Sequence, residues 1–318
     1  MFKQQNYPEK IPVKNYQCDL CKESDELNDA FNGCTVVVFC AGKPFEYLQA
    51  EKDLTEQYQC DNFSTCESVI QKMKENNIKI LVYVGDAYGN LPNCDNYGLS
   101  EAMHLGVPPS FVLGAYGESR TKGELLARKA AENGDINGIF LRPTIIYGEG
   151  EKHMIGSFLK FCKFNGGYPN IRGTDRGNHQ YIYAGNLAAM IYRGIECLKT
   201  DAAKYNGEVL YAMDKTVCTP FKTFIKPFME IFDIAPSAET SYFMAFSTSL
   251  GHELLYRLGM AGAGKRLSFR AQRYLYGWTI GFPIRKLRLL LDIVPPWQQD
   301  DALAKTLLWY KNNQDIFQ

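Results

Sequence analysis

Ile78-Lys-Ile-Leu-Val-Tyr-Val84 is an almost unbroken β-branched and apolar run ending at Gly85-Asp86. A strand with apolar residues at successive positions cannot leave one face to solvent, so this segment reads as a strand covered on both sides, as in a parallel sheet. Thr35 to Phe39 (TVVVF) has the same character, and Ile139 to Leu141 and Val209 to Ala212 are shorter candidates. Helical patterns lie between them. One has Ser24 as N-cap and Gly33 as stop, one runs from Asn62 to Lys74, and a long one runs from about Tyr116 to Asn133 and is closed by Gly134. Strands alternating with helices predict an α/β fold with a doubly wound parallel sheet, Rossmann-like.

After Ala212 the chain becomes helix-rich and aromatic, with Pro295-Pro296 ahead of a last helix from about Asp300 to Asn312. The expected organisation is a Rossmann-like unit over residues 1–213 and a smaller helix-rich substrate domain over 214–318, with contributions from about 148–177. Within 237–259, Phe243, Phe246, Leu250, Leu254 and Leu258 fall on one helical face, while His252, Glu253 and Arg257 interrupt the rest. That stripe is too interrupted to span a bilayer. It is expected to pack on the protein or over a substrate cleft, with peripheral contact at a membrane interface as the lesser possibility.

The 318 residues include 35 Lys and Arg against 35 Asp and Glu, so no net field draws the chain to nucleic acid or an acidic membrane. The 10 cysteines are scattered, a usage that fits free thiols in a reducing compartment. Cys18-Asp-Leu-Cys21 has CxxC spacing, but nothing nearby completes a four-ligand metal site, so it reads as ordinary thiols and no metal is expected. MFKQQNYPEK contains no apolar segment of a signal peptide. A cytoplasmic location follows as an expectation, with association at the cytoplasmic face of the endoplasmic reticulum open.

The residues that can carry chemistry gather at strand ends. Tyr116 and Arg120 stand at i and i+4 on the long helix, one turn apart on one face, where they can share a ligand. Asp86 follows a buried strand, and doubly wound folds place reacting groups at such carboxyl ends. Leu141-Arg-Pro-Thr-Ile-Ile-Tyr-Gly-Glu-Gly150 and Tyr183-Ala-Gly-Asn186 complete the set.

In this order the motifs resemble the 3β-hydroxysteroid dehydrogenase/isomerase family of the extended short-chain dehydrogenases, and LRPTIIYGEG is the most specific of them. Asp19-Leu20, Phe39-Cys-Ala-Gly42 and the stretch Lys286 to Leu291 with Pro295 fit too, although Asp292 and Ile293 replace a Gly-Tyr pair. The resemblance implies hydride transfer between NAD and the C3 alcohol of a steroid- or sterol-like substrate. It places Tyr116 as the acid/base, Arg120 where the family has Lys, and Asp86 where it has Ser or Thr. By the same resemblance Asp19, Leu20, Cys40, Ala41, Gly42, Tyr116, Arg120 and Pro143 fall on the cofactor.

Both replacements alter the chemistry. A phenol is a poor base at neutral pH unless a cation favours its phenolate, and Arg120 keeps the charge but not the shape of an ammonium. A carboxylate at Asp86 opposes phenolate formation and cannot donate to a substrate oxygen. An ion pair between Asp86 and Arg120, within about 4 Å, is therefore expected. A strand followed by the glycine-rich turn that cradles pyrophosphate is missing, since the chain begins about where the family's third strand would begin. Gly259 to Lys265 looks like a phosphate loop but follows a helix. The expectations are a sheet short by two strands with Thr35 to Phe39 at its edge, and weak or absent NAD binding. Two alternatives to the dehydrogenase reading stay open: a catalytically impaired relative that serves as a binding or interaction module, and an NAD-dependent sugar-nucleotide epimerase or reductase.

Overall fold

The computed structural model describes residues 12–93, 96–97, 99–172, 177–215, 217–262 and 266–317. Four strands form its main sheet: β1 (Val36–Phe39), β2 (Ile80–Val84), β3 (Asn137–Pro143) and β4 (Glu208–Ala212), paired in that order and all parallel. Register is continuous across the sheet, since Val38 faces Val82, Val82 faces Ile139, and Ile139 faces Glu208. The doubly wound α/β expectation therefore holds.

Side-chain alternation explains why Ile80 to Val84 had to be apolar throughout. Leu81 and Tyr83 enter a layer built with α1 (Asp25–Phe31), α2 (Thr65–Glu75) and α3 (Gly114–Glu132). Val82 and Val84 enter the opposite layer, against Leu187 and Met190 of α5 (Ala184–Thr200). Leu287 and Leu291 of α9 (Arg285–Leu291) complete that second layer.

Caps predicted from the sequence are in place. Ser24 Oγ accepts the Leu27 amide at 3.1 Å, and Gly33 and Gly134 adopt positive φ beyond their helices. The second helix differs from expectation, because Gln59–Ser64 is a π-helical turn and the α-helix begins only at Thr65. Among the described residues β1 is an edge strand, and Val38 is exposed there.

A third apolar cluster sits beyond the carboxyl ends of the strands. It joins Phe45, Tyr47 and Tyr116 to Phe158 of α4 (Met154–Asn165), Phe224 of α6 (Phe221–Ile231), Tyr274 of α8 (Phe269–Gly277) and Tyr310 of α10 (Gln299–Asn312). Within 237–259 the helix is α7 (Tyr242–Arg257). It touches α8 through Phe246 and Phe269, yet Phe243, Leu250, Leu254 and Leu258 of the predicted stripe are exposed. The expectation that the protein itself covers this stripe is thus corrected. Phe246 and Tyr242 turn inward with one edge of the helix, and the stripe's other members are carried outward. No helix among the described residues is long and apolar enough to cross a membrane.

Candidate active site

The carboxyl ends of β1, β2 and β3 open onto a cleft of about 370 Å³. Cys40 and Gly42 come from β1's end, Asp86 from β2's, and Pro143 and Thr144 from β3's, while Tyr116 and Arg120 reach in from α3. The far wall is apolar and aromatic, with Phe45, Tyr47, Leu113, Ile145, Met154 and Tyr274. The sequence-predicted catalytic residues therefore share one cleft.

Tyr116 Oη donates to Asp86 Oδ2 at 2.5 Å. The other carboxylate oxygen accepts the amides of Tyr88 (2.7 Å) and Gly89 (3.3 Å), which fixes its orientation. Enclosure pushes the Asp86 carboxyl above its ordinary value, against the opposing effect of the Tyr116 hydrogen bond and the Arg120 charge. Burial and the Asp86 charge push the Tyr116 phenol well up, and the Arg120 charge opposes them without prevailing. Tyr116 is thus held protonated, aimed at a carboxylate.

The expected ion pair between Asp86 and Arg120 does not form. Arg120 instead donates to three backbone carbonyls, Ala41 (3.0 Å), Val84 (2.9 Å) and Gly85 (3.1 Å), and so ties the ends of β1 and β2 to α3. The reason is competition. Asp86 already has three donors, and the strand-end carbonyls, which lie beyond the last ladder bonds, need donors of their own.

Gly42 makes room for this arrangement. Its φ is +136°, and a Cβ there would lie 2.4 Å from Arg120 Nη1 and 2.6 Å from Asn62 Oδ1. Gly42→Ala is expected to displace the guanidinium and to cost about 1–3 kcal/mol, read by urea denaturation. A loss below about 0.5 kcal/mol would show that Arg120 is free to move aside.

The cofactor residues implied by the resemblance separate into two groups. Cys40, Gly42, Tyr116, Arg120 and Pro143 line the cleft, and the Ala41 carbonyl holds Arg120 beneath it. Asp19 and Leu20 do not line it. Asp19 pairs with Lys22 at 2.9 Å on an exposed turn, and Leu20 packs against the α1–α2 layer. These strand ends fit the nicotinamide end of NAD, because they offer a glycine and carbonyl-anchored side chains at the place where doubly wound sheets bind ligands. The pyrophosphate end finds no matching glycine-rich strand-to-helix turn among the described residues. Gly259, the start of the loop that resembles a phosphate site, follows α7, and 263–265 lie outside the described residues.

Three residues that sequence reasoning missed position the centre. Glu51 Oε1 accepts the Ala115 amide at 2.5 Å and caps the helix that carries Tyr116, which has no side-chain cap of its own at Leu113. Arg270 holds Glu51 at 2.7 Å. Asn62, fully buried in the π-helical turn, donates to Ser119 Oγ at 3.0 Å. Glu51 and Arg270 are 219 positions apart, so no local pattern announces the pair.

Residues 3–244 match the model of the 3-beta hydroxysteroid dehydrogenase/isomerase family. The 3 beta-hydroxysteroid dehydrogenase/Delta 5-->4-isomerase of Vaccinia virus (strain Copenhagen) is 23% identical over 320 residues, covering 96% of this chain and 87% of the relative. A decarboxylating sterol-4-alpha-carboxylate 3-dehydrogenase of Candida albicans is 26% identical over 179 residues, 55% of this chain and 48% of the relative. Among solved structures, an epimerase of Methanothermobacter thermautotrophicus superposes with a TM-score of 0.67 at 16% identity, covering 98% of this chain and 83% of the other. A Bacillus cereus UDP-glucuronic acid 4-epimerase, determined with UDP-glucuronic acid and NAD, gives 0.63 at 17% identity, covering 92% and 80%. These structural likenesses speak for the fold. The Bacillus cereus enzyme holds NAD in its own structure, and what this chain shares with it is the Rossmann-like fold. With the family model matching residues 3–244 of 318, the chain belongs to the 3-beta hydroxysteroid dehydrogenase/isomerase family.

Proposed function

We propose that the chain acts on the CH–OH group of a steroid- or sterol-like substrate, with Asp86 and Tyr116 together as the proton acceptor. The observation that carries this reading is the 2.5 Å bond from Tyr116 Oη to Asp86 Oδ2 at the floor of an aromatic cleft. A Tyr phenolate beside a cation is one way to hold a base at neutral pH. A neutral Tyr bonded to a carboxylate is another, because the proton vacancy then sits on Asp86.

A substrate hydroxyl placed on Tyr116 can pass its proton to Oη while the Tyr116 proton moves to Asp86 Oδ2. Arg120 takes no proton. It holds the strand ends that fix Asp86, and its charge favours the ionised state of the pair. NAD, when bound, is the hydride acceptor that the family supplies. The wall formed by Phe45, Leu113, Ile145 and Met154 suits a fused-ring hydrocarbon better than a diphosphate, for which the cleft has few cations: Arg120 is committed to carbonyls, and Lys43 pairs with Glu46 at 3.1 Å.

A second reading is favoured by the same fixation. With Arg120 bound to three carbonyls and no glycine-rich turn among the described residues, the cleft can serve as a steroid-binding module whose redox chemistry is impaired. The test is to mix the purified chain with a 3β-hydroxysteroid and millimolar NAD, follow NADH absorbance, and titrate steroid and NADH separately by calorimetry. Slow turnover with weak NADH binding supports the first reading. Steroid binding without turnover supports the second, and absence of steroid binding sinks both.

The exposed apolar stripe of α7 suits a lipid surface, from which so apolar a substrate would be drawn. Flotation with phosphatidylcholine vesicles is expected to carry the protein upward, and Phe243→Ser with Leu254→Ser is expected to abolish this. Flotation unchanged by the two substitutions would assign the contact to another surface.

A further inference from the structure

The CxxC spacing drew attention to Cys18 and Cys21, but the fold gives Cys21 a different neighbour. Cys60, 39 positions further along, points its thiol at Cys21 Sγ with the two sulfurs 3.6 Å apart. Cys21 Sγ in turn lies 3.1 Å from Thr65 Oγ1 and 3.4 Å from the Cys60 carbonyl. Cys18 packs instead on the apolar layer under α1 and α2. Cys60 is exposed and Cys21 half-buried, so a small oxidant reaches the first and not readily the second. Lys22 stands near both sulfurs but is paired with Asp19 at 2.9 Å, and the hydrogen bond to Cys21 with the Asp61 and Asp19 charges holds the Cys60 thiol above its ordinary value, so alkaline pH speeds its attack.

We propose that Cys21 and Cys60 form a reversible redox site that reacts with low-molecular-weight disulfides of the glutathione class and closes to an intramolecular disulfide. Cys60 thiolate attacks one sulfur of the oxidised tripeptide, forming a mixed disulfide and releasing one tripeptide thiolate. Cys21 thiolate then attacks Cys60 Sγ and expels the second tripeptide. One disulfide is reduced and one is formed, and the two protons leaving the cysteines are taken by the two released thiolates. Bringing the sulfurs from 3.6 Å to bonding distance asks for a shift of about 1.5 Å, and Cys21 lies on a turn ahead of α1, outside any helix or strand that would resist it.

The location gives the bond a consequence. Cys60 belongs to the π-helical turn Gln59–Ser64, whose Asn62 bonds Ser119 of α3 and packs against Gly42. A closed disulfide joins the segment ahead of α1 to the element that backs Arg120 and Gly42, which makes the floor of the cleft answer to the redox state of the surroundings. The buried Cys66, whose thiol is pushed up to about 12 by enclosure, is the internal control that stays unreacted.

The experiment incubates the full chain with oxidised glutathione, quenches free thiols with an alkylating agent, and maps peptides without reduction. The expected product is a peptide pair joined through Cys21 and Cys60, lighter by two hydrogen atoms than the sum of its parts, which dithiothreitol separates. In Cys21→Ser the glutathione adduct on Cys60 should persist, because no second thiol is there to expel it. A persistent adduct on Cys60 of the unsubstituted chain, a Cys18–Cys21 bond, or no reaction at either residue would each overturn the proposal. The map of the unsubstituted chain decides the matter even if the substituted one folds poorly.

Discussion

Arg142→Ala is expected to destabilise the fold by about 3–5 kcal/mol, among the largest effects of any single substitution in this chain. The guanidinium is wholly buried and forked onto Glu124, with Nε to Oε2 at 2.8 Å and Nη2 to Oε1 at 2.6 Å. A third bond, from Nη1 to the His104 carbonyl at 2.8 Å, ties β3 to the 3-10 turn Glu101–His104. Removing Arg142 strands the Glu124 carboxylate in the core, where among the described residues Arg128 is the one remaining cation within 4.0 Å, at 3.9 Å. Replacing both partners, Arg142→Met with Glu124→Leu, should cost much less than the single change, because no uncompensated charge remains. Urea denaturation of the single and double variants checks this. A single-variant loss below about 1 kcal/mol would mean that solvent reaches the pair and that Arg142 is not what holds α3 to β3.

Arg142 also shows what the sequence could convey. Leu141-Arg-Pro-Thr144 was recognisable as a motif and placed the strand end correctly, and Asp86, Tyr116 and Arg120 were legible because helical spacing and strand ends are local properties. The partner of each charge was not legible. Arg142 finds Glu124 on the neighbouring helix, Arg120 turns from Asp86 to backbone carbonyls, and Glu51 reaches Arg270 across 219 positions. Backbone acceptors leave no mark in a sequence, so pairing by charge alone overestimated the attraction of Asp86 for Arg120. The same limit applies to the thiols, since CxxC spacing named Cys18 and Cys21 while the fold put Cys60 against Cys21.

Asp86→Asn is expected to lower turnover of a 3β-hydroxysteroid by about 10²–10⁴-fold while leaving the fold as stable as before or more so. An amide oxygen can keep the Tyr88 and Gly89 amides, but it cannot take the proton that Tyr116 must shed. Tyr116→Phe should lose a similar factor, and the double variant little more than either single one, since the two groups carry one proton between them. The pH behaviour separates this from a merely structural role. Because enclosure raises the Asp86 carboxyl above its unfolded value of about 3.8, turnover falls as pH drops through that raised value. Stability runs the other way. A carboxyl whose folded pKa is raised contributes stability that is full below its unfolded pKa and is lost as pH rises through the folded one, so at neutral pH the buried charge is a burden that Asn removes. Stopped assays from pH 5 to 8, with melting temperatures over the same range, check both halves. A variant that keeps its activity would show that Asp86 takes no proton, and one that loses activity and stability together would show that Asp86 holds the cleft in shape instead.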